Sequence, residues 1–184
     1  LWVAGIKAKF ATGGLTASVE LAQNFGEDRA TNPTSNFKGT ALQAKVAYKL
    51  DLSDVGMITP WAEWGKGSGD NNGSYAGNNN FRAINTDYRP GAIYGRFDNG
   101  AAFRLAGGTG VSAAASNGLA NRTIWGFGVK ATPAAVNKLT VGAQFYHYEF
   151  SRLADNGTTP TAPVLAIRNS RNIGTESDVT AEWK

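Results

Sequence analysis

The sequence predicts an all-β protein, an antiparallel up-and-down transmembrane β-barrel or a fragment of a larger one, and three observations carry that expectation. Apolar and polar residues alternate with period two in segments of about ten residues, the length a tilted strand needs to cross a bilayer. The connections between the segments alternate between short and long. Aromatic residues collect toward the segment ends, as they do at the two interfaces of a membrane barrel.

Seven segments carry the alternation, at about 1–10, 15–25, 38–51, 56–67, 122–131, 138–152 and 172–184, within one barrel domain, or part of one, spanning 1–184. In the first, Trp2, Ala4, Ile6, Ala8 and Phe10 oppose Gly5, Lys7 and Lys9. In the second, Leu15, Ala17, Val19 and Leu21 oppose Thr16, Ser18, Glu20 and Ala22. The third sets Leu42, Ala44, Val46, Tyr48 and Leu50 against Gln43, Lys45, Ala47 and Lys49. The fourth sets Ile58, Pro60, Ala62 and Trp64 against Thr59, Trp61, Glu63 and Gly65, with Pro60 awkward inside a sheet because it has no N–H to donate.

A long Asn- and Gly-rich loop, 68–121, follows, interrupted by short apolar pieces at 92–97 and 101–106. In the fifth segment Thr123, Trp125, Phe127, Val129 and Ala131 oppose Ile124, Gly126, Gly128 and Lys130. In the sixth Leu139, Val141, Ala143 and Phe145 oppose Thr140, Gly142, Gln144 and Tyr146, with Tyr148 and Phe150 crowding the far end. The last sets Ile173, Val179, Ala181 and Trp183 against Asn172, Gly174, Glu176, Asp178 and Glu182. Short connections after the first, third and fifth segments read as periplasmic turns, and the longer ones as extracellular loops. Phe10 and Trp183 then belong to one aromatic girdle, and Trp2, Trp64, Trp125, Tyr148 and Phe150 to the other.

Composition narrows the function. Of 184 residues 42% are hydrophobic and only 17% charged, against roughly 25% charged in an average soluble domain. Asn, Thr, Ser and Gly supply the polarity instead. The net charge of +4 is scattered and offers little to nucleic acid. With no Cys and a single His, His147, thiolate catalysis, iron–sulfur clusters and multi-histidine metal sites are excluded, so neither an enzyme nor a cofactor is expected. No apolar run approaches the roughly 18 residues of a transmembrane helix. A soluble β-sandwich alternates its residues too, but these apolar faces are rich in Ala and Gly, whereas a packed core favours Leu, Ile and Val.

Three stretches, Gly118-Leu-Ala-Asn-Arg-Thr-Ile-Trp-Gly-Phe-Gly-Val-Lys-Ala-Thr-Pro133, Lys138-Leu-Thr-Val-Gly-Ala-Gln-Phe-Tyr-His-Tyr148 and Ile173-Gly-Thr-Glu-Ser-Asp178, follow one another in order. With the strand end Lys66-Gly-Ser-Gly-Asp70, they resemble the C-terminal half of alginate-export-type outer-membrane porins. The resemblance implies a monomeric many-stranded barrel with a charged lumen that passes an anionic polysaccharide or small anionic solutes across the bacterial outer membrane. Family barrels are longer than this chain, and an odd strand count would leave two edges unpaired in hydrocarbon. The chain is therefore expected to be part of a larger barrel, or to gain an eighth strand from 92–106.

The expected lumenal charges are Lys7, Lys9, Lys45, Lys49 and Lys130, with Glu20, Glu63, Glu176 and Asp178 among them, read either as a selectivity field or as ordinary cross-strand pairs. Glu176 and Asp178, about 7 Å apart on one strand face, have the spacing of a glycosidase pair, but a salt-bridge network with Lys130 or another lysine is the plainer expectation. His147, Glu149 and Ser151 share a face, yet residues four apart on a strand lie about 13 Å apart, too far for a nucleophile and its base. The Asp70-Asn-Asn-Gly-Ser run reads as an Asx-rich turn before a Ca²⁺ loop.

The expected function is passive passage of polar or anionic solutes, with outer-membrane lipid as the surrounding partner. Two alternatives stand beside it. One is a barrel occluded by its own 68–121 loop or docked to another protein at its periplasmic or extracellular face. The other is a secreted β-sandwich that binds a glycan through Trp61, Trp64 or Tyr94.

Overall fold

The computed structural model describes residues 1–28, 35–69, 79–82, 88, 90–92, 119–152 and 171–184. Its strands are β1 (Trp2–Thr12), β2 (Leu15–Phe25), β3 (Glu27–Asp28), β4 (Ser35–Asn36), β5 (Thr40–Tyr48), β6 (Leu50–Asp51), β7 (Gly56–Gly67), β8 (Arg122–Pro133), β9 (Leu139–Phe150) and β10 (Asn172–Trp183). The long strands form one antiparallel sheet in the order β1-β2-β5-β7-β8-β9-β10, with β6 extending β5 alongside β7 and β3-β4 a small separate ribbon. Among the described residues no helix is long and apolar enough to cross a membrane.

The registers keep the alternations in phase except at the start of β10. Phe10 lies opposite Ala17, Ala17 opposite Val46, Val46 opposite Ala62, Ala62 opposite Phe127 and Phe127 opposite Phe145, so apolar residues make an unbroken row across six strands. The neighbouring row on the other face runs Lys9, Ser18, Lys45, Glu63, Gly126, Tyr146, Glu176. A one-residue slip in any strand would exchange these faces, and period-two patterning on all of them selects this register against that slip.

Turn chemistry sets the two ends of the sheet. Gly13 and Gly14 both take positive φ, 51° and 89°, as a two-residue hairpin of primed type requires. At 52–55, the Ser53 N–H donates to Asp51 Oδ1 at 3.0 Å and the Leu52 N–H to the Gly56 carbonyl at 2.9 Å. A single 3₁₀ turn, Ala134–Val136, connects β8 to β9. All three connections lie at one end, and the segments following β2, β7 and β9 leave from the other.

Pro60 sits inside β7, and the sheet adapts to it. Pairing of β5 with β7 runs as far as Ala47 opposite Trp61 and resumes in β6 with Leu50 opposite Ile58, leaving a gap in the ladder beside Thr59 and Pro60. A residue without an N–H cannot complete that rung, so one strand of the expected 38–51 segment becomes two in unbroken register. Near its start β10 carries an irregularity between Asn172 and Gly174, and Ile173, expected on the apolar face, packs against the buried cluster instead.

The sheet does not close. β1 and β10 are its edges, and because six antiparallel steps separate them they run in the same direction. Bulk on the polar face supplies a physical reason. Trp61, Tyr146 and Tyr148 occupy it together with chain from the 68–121 connection, while a barrel of eight strands has room only for its own side chains. Residues 93–106, the expected source of an eighth strand, lie outside the described residues, as do 70–74 and Tyr94.

Burial on the polar face depends on two glycines beneath rings. Gly126 and Gly128 pair with Tyr146 and Gln144 on one side and with Glu63 and Trp61 on the other, and the Tyr146 and Trp61 rings, 5.8 Å apart, fill the space a Cβ would take. Gly126→Leu should therefore displace Tyr146 and destabilise the fold by about 1–3 kcal/mol, the usual cost of overpacking, as read from the denaturation midpoint. An unchanged midpoint would mean that the ring moves aside freely.

Candidate functional site

The two faces differ in chemistry and exposure. On the apolar face Trp2 and Ile6 are each 70% exposed, Trp183 67% and Val179 87%, with Phe10, Trp125 and Phe127 also open. Exposed apolar side chains continue across the whole sheet, far beyond the patches of a few hundred Å² that water-soluble monomers tolerate. From Trp2 to Phe10 the face spans about 26 Å along the strand at 3.3 Å per residue, about 20 Å of height at a tilt of about 40°, against an apolar band of about 25 Å in membrane barrels. Trp2 lies opposite Phe25 at the end of the long connections, whereas Phe10 and Trp183 lie beside the short ones. Trp64 and Trp125, 5.8 Å apart, join Trp2 at that far end.

Two expected girdle residues belong elsewhere. Tyr148 and Phe150 project from the polar face and are 3% and 4% exposed. Their even positions in β9 share the parity of Gln144 and Tyr146 and oppose that of Val141 and Phe145, so the strand pleat turns them inward. Tyr148 stacks on Tyr146 with ring centroids 6.0 Å apart, and Arg122 covers Phe150 at 4.7 Å.

The polar face gathers all nine expected charges: Lys7 and Lys9 on β1, Glu20 on β2, Lys45 on β5, Lys49 at the break before β6, Glu63 on β7, Lys130 on β8, and Glu176 and Asp178 on β10. They do not act as one field. Lys7 Nζ pairs with Glu20 at 2.5 Å, a contact open to solvent at both ends. Lys45 Nζ reaches Glu63 at 3.0 Å and lies 4.6 Å from the Trp61 ring centroid, its side chain 47% exposed over a carboxylate that is 4% exposed. Among the described residues no carboxylate lies within ion-pair distance of Lys9, Lys49 or Lys130.

Among the described residues, neutral donors rather than lysines meet Glu176 and Asp178. The Ala92 N–H lies 2.7 Å from Glu176 Oε1 and 3.1 Å from Asp178 Oδ2. Gln144 Nε2 donates to Asp178 at 2.8 Å, and the Tyr148 hydroxyl to Glu176 at 3.0 Å. Glu63 also accepts from Tyr88 at 3.3 Å. Pieces of the 68–121 connection thus lie on this face, with Phe81 and Leu119 buried among Ala41, Trp61, Ile124, Tyr146 and Tyr148.

Two asparagines fasten that connection at the strand ends. Asn24, fully buried, donates to the Arg82 carbonyl at 2.8 Å and accepts from its N–H at 2.6 Å. Asn121 does the same with Arg152, at 3.0 and 2.9 Å. A side-chain amide thereby imitates a strand neighbour twice, using both halves of its hydrogen-bonding capacity. Nothing in the sequence distinguishes these two residues from the many other asparagines.

His147 Nε2 and Glu149 Oε1 are 3.0 Å apart on the apolar face, and the Ser151 hydroxyl contacts that of Thr123 at 3.0 Å. Ser151 is therefore engaged away from the histidine. Trp61 is buried under the loop pieces and Trp64 packs on Trp125, so neither offers the open aromatic shelf a glycan-binding sandwich needs.

Fold and site define an antiparallel all-β protein whose single large sheet has one exposed apolar face and one charged, partly covered face. Comparison with family models, with curated proteins and with solved structures found no match.

Proposed function

We propose that the chain forms part of a transmembrane β-barrel of the bacterial outer membrane and serves as a channel for passive passage of polar or anionic solutes, polysaccharide included. The observation that carries the reading is the apolar face, continuous in register over six long strands, carried onto β10 by Val179, Ala181 and Trp183, and open from Trp2 to Trp183. In water so large a face would drive association. In lipid it is the surface a barrel needs, and the opposite face becomes a lumen lined by Lys, Thr, Ser and Gly. The hairpin end is then periplasmic and the long connections extracellular, as in bacterial barrels generally. The two edges require further strands, since open edges do not occur in hydrocarbon.

A second reading, a barrel occluded by its own loop or docked to another protein, draws support from Tyr88, Pro90 and Ala92 lying against the polar face. One experiment separates the two. Native protein extracted in detergent and added to a planar bilayer should give discrete current steps that scale with salt concentration. Protein that inserts without current favours occlusion, and protein that stays soluble without detergent removes both readings.

A further inference from the structure

The polar face is divided by charge and by cover. Lys7, Lys9 and Lys45 lie on β1 and β5 and are exposed, whereas Glu63 and Asp178 lie on β7 and β10 and are buried, with Glu176 half-buried beside them. Glu20 is paired with Lys7, and Glu182 is exposed at the turn end. The covering chain is a short turn. Pro90 is fully buried, and its carbonyl lies 3.3 Å from the Tyr148 hydroxyl. Gly91 holds φ at +80°, and a Cβ there would run into the Glu176 carboxylate and the Tyr148 hydroxyl. Ala92 directs a single N–H at both Glu176 and Asp178.

Each residue of the turn fits that seat. Proline contributes only a carbonyl, glycine permits both the left-handed backbone and the close approach, and the next amide supplies one donor between two carboxylates. Glu176 and Asp178 also accept from Tyr148 and Gln144, and the two carboxylates repel each other more strongly once the amide between them leaves.

From this geometry we infer that the 90–92 turn is a latch that withdraws Glu176 and Asp178 from the open lumen, and that its seating sets the charge preference of the passage. With the turn seated, lysines dominate the solvent-facing charge and anions are favoured. With it released, two more carboxylates face the passage and the preference moves toward cations. The inference rests on the channel reading for its effect on ions, but the seat itself can be tested separately.

The chain has no cysteine, so Ala92→Cys introduces a unique thiol while keeping the backbone N–H. Its rate of reaction with a charged, membrane-impermeant methanethiosulfonate is measured alone, with Gly91→Leu, and with Glu176→Ala plus Asp178→Ala. Release of the latch should raise the rate at least tenfold in both combinations. In planar bilayers Gly91→Leu by itself should increase conductance and lower the anion-to-cation permeability ratio at least threefold. Unchanged labelling in both backgrounds overturns the latch. Faster labelling with an unaltered permeability ratio overturns its role in selection. If the unsubstituted protein carries no current, the channel reading fails and the selection role with it, while the labelling rates still decide whether the turn is held by these carboxylates.

Discussion

Replacing Phe127 with arginine is expected to destabilise the folded protein in phospholipid vesicles by about 2–4 kcal/mol, the cost of a cationic side chain at the midplane of a barrel's lipid face. Phe127 lies midway along β8, 58% exposed, in the apolar row between Ala62 and Phe145. Its ring is 5.3 Å from that of Phe145, and losing that contact adds about 0.5–1.5 kcal/mol. Thr16→Arg, at an exposed position on the polar face of β2, is the matched control and should stay within about 0.5 kcal/mol of the parent. Denaturant titrations of both variants in the same vesicles make the comparison. Equal, small effects would mean that the apolar face does not meet hydrocarbon.

The second large effect is expected from reversing lysines that have no carboxylate neighbour among the described residues. Lys9→Glu with Lys49→Glu changes the charge of one wall by four units, leaving the ion pairs of Lys7 and Lys45 in place. At about 8 Å in water each unit is worth about 0.5 kcal/mol to a passing ion, and salt screens part of it. The anion-to-cation permeability ratio should fall about threefold to tenfold in reversal-potential measurements. Exchanging the charges of a bonded pair, Lys7→Glu with Glu20→Lys, should leave the ratio nearly unchanged because the pair stays neutral. If both double variants shift it equally, local pairing does not decide which lysines ions feel.

Much of the strand layout is legible in the sequence because each strand repeats one simple pattern. Leu15, Ala17, Val19 and Leu21 fall on one face whatever their neighbours do, since the pleat turns successive side chains to opposite sides. The same rule places Lys7, Lys45, Glu63 and Asp178 together on the other face. Applied strictly, it also places Tyr148 and Phe150 there; grouping them with the girdle follows their aromatic character and overlooks their parity.

The period, the faces and the alternation of short and long connections are therefore local properties, carried by each segment in its own residues. Long-range contacts set which charges pair, where Tyr88 and the 90–92 turn lie, that Asn24 and Asn121 clasp distant backbone, and that β1 and β10 remain edges. Those outcomes depend on groups up to 86 residues apart in the chain, such as Ala92 and Asp178. A pattern of period two carries no information about which distant donor reaches which carboxylate. That choice is made only when the strands are in register and Tyr88 and the 90–92 turn come to lie on them.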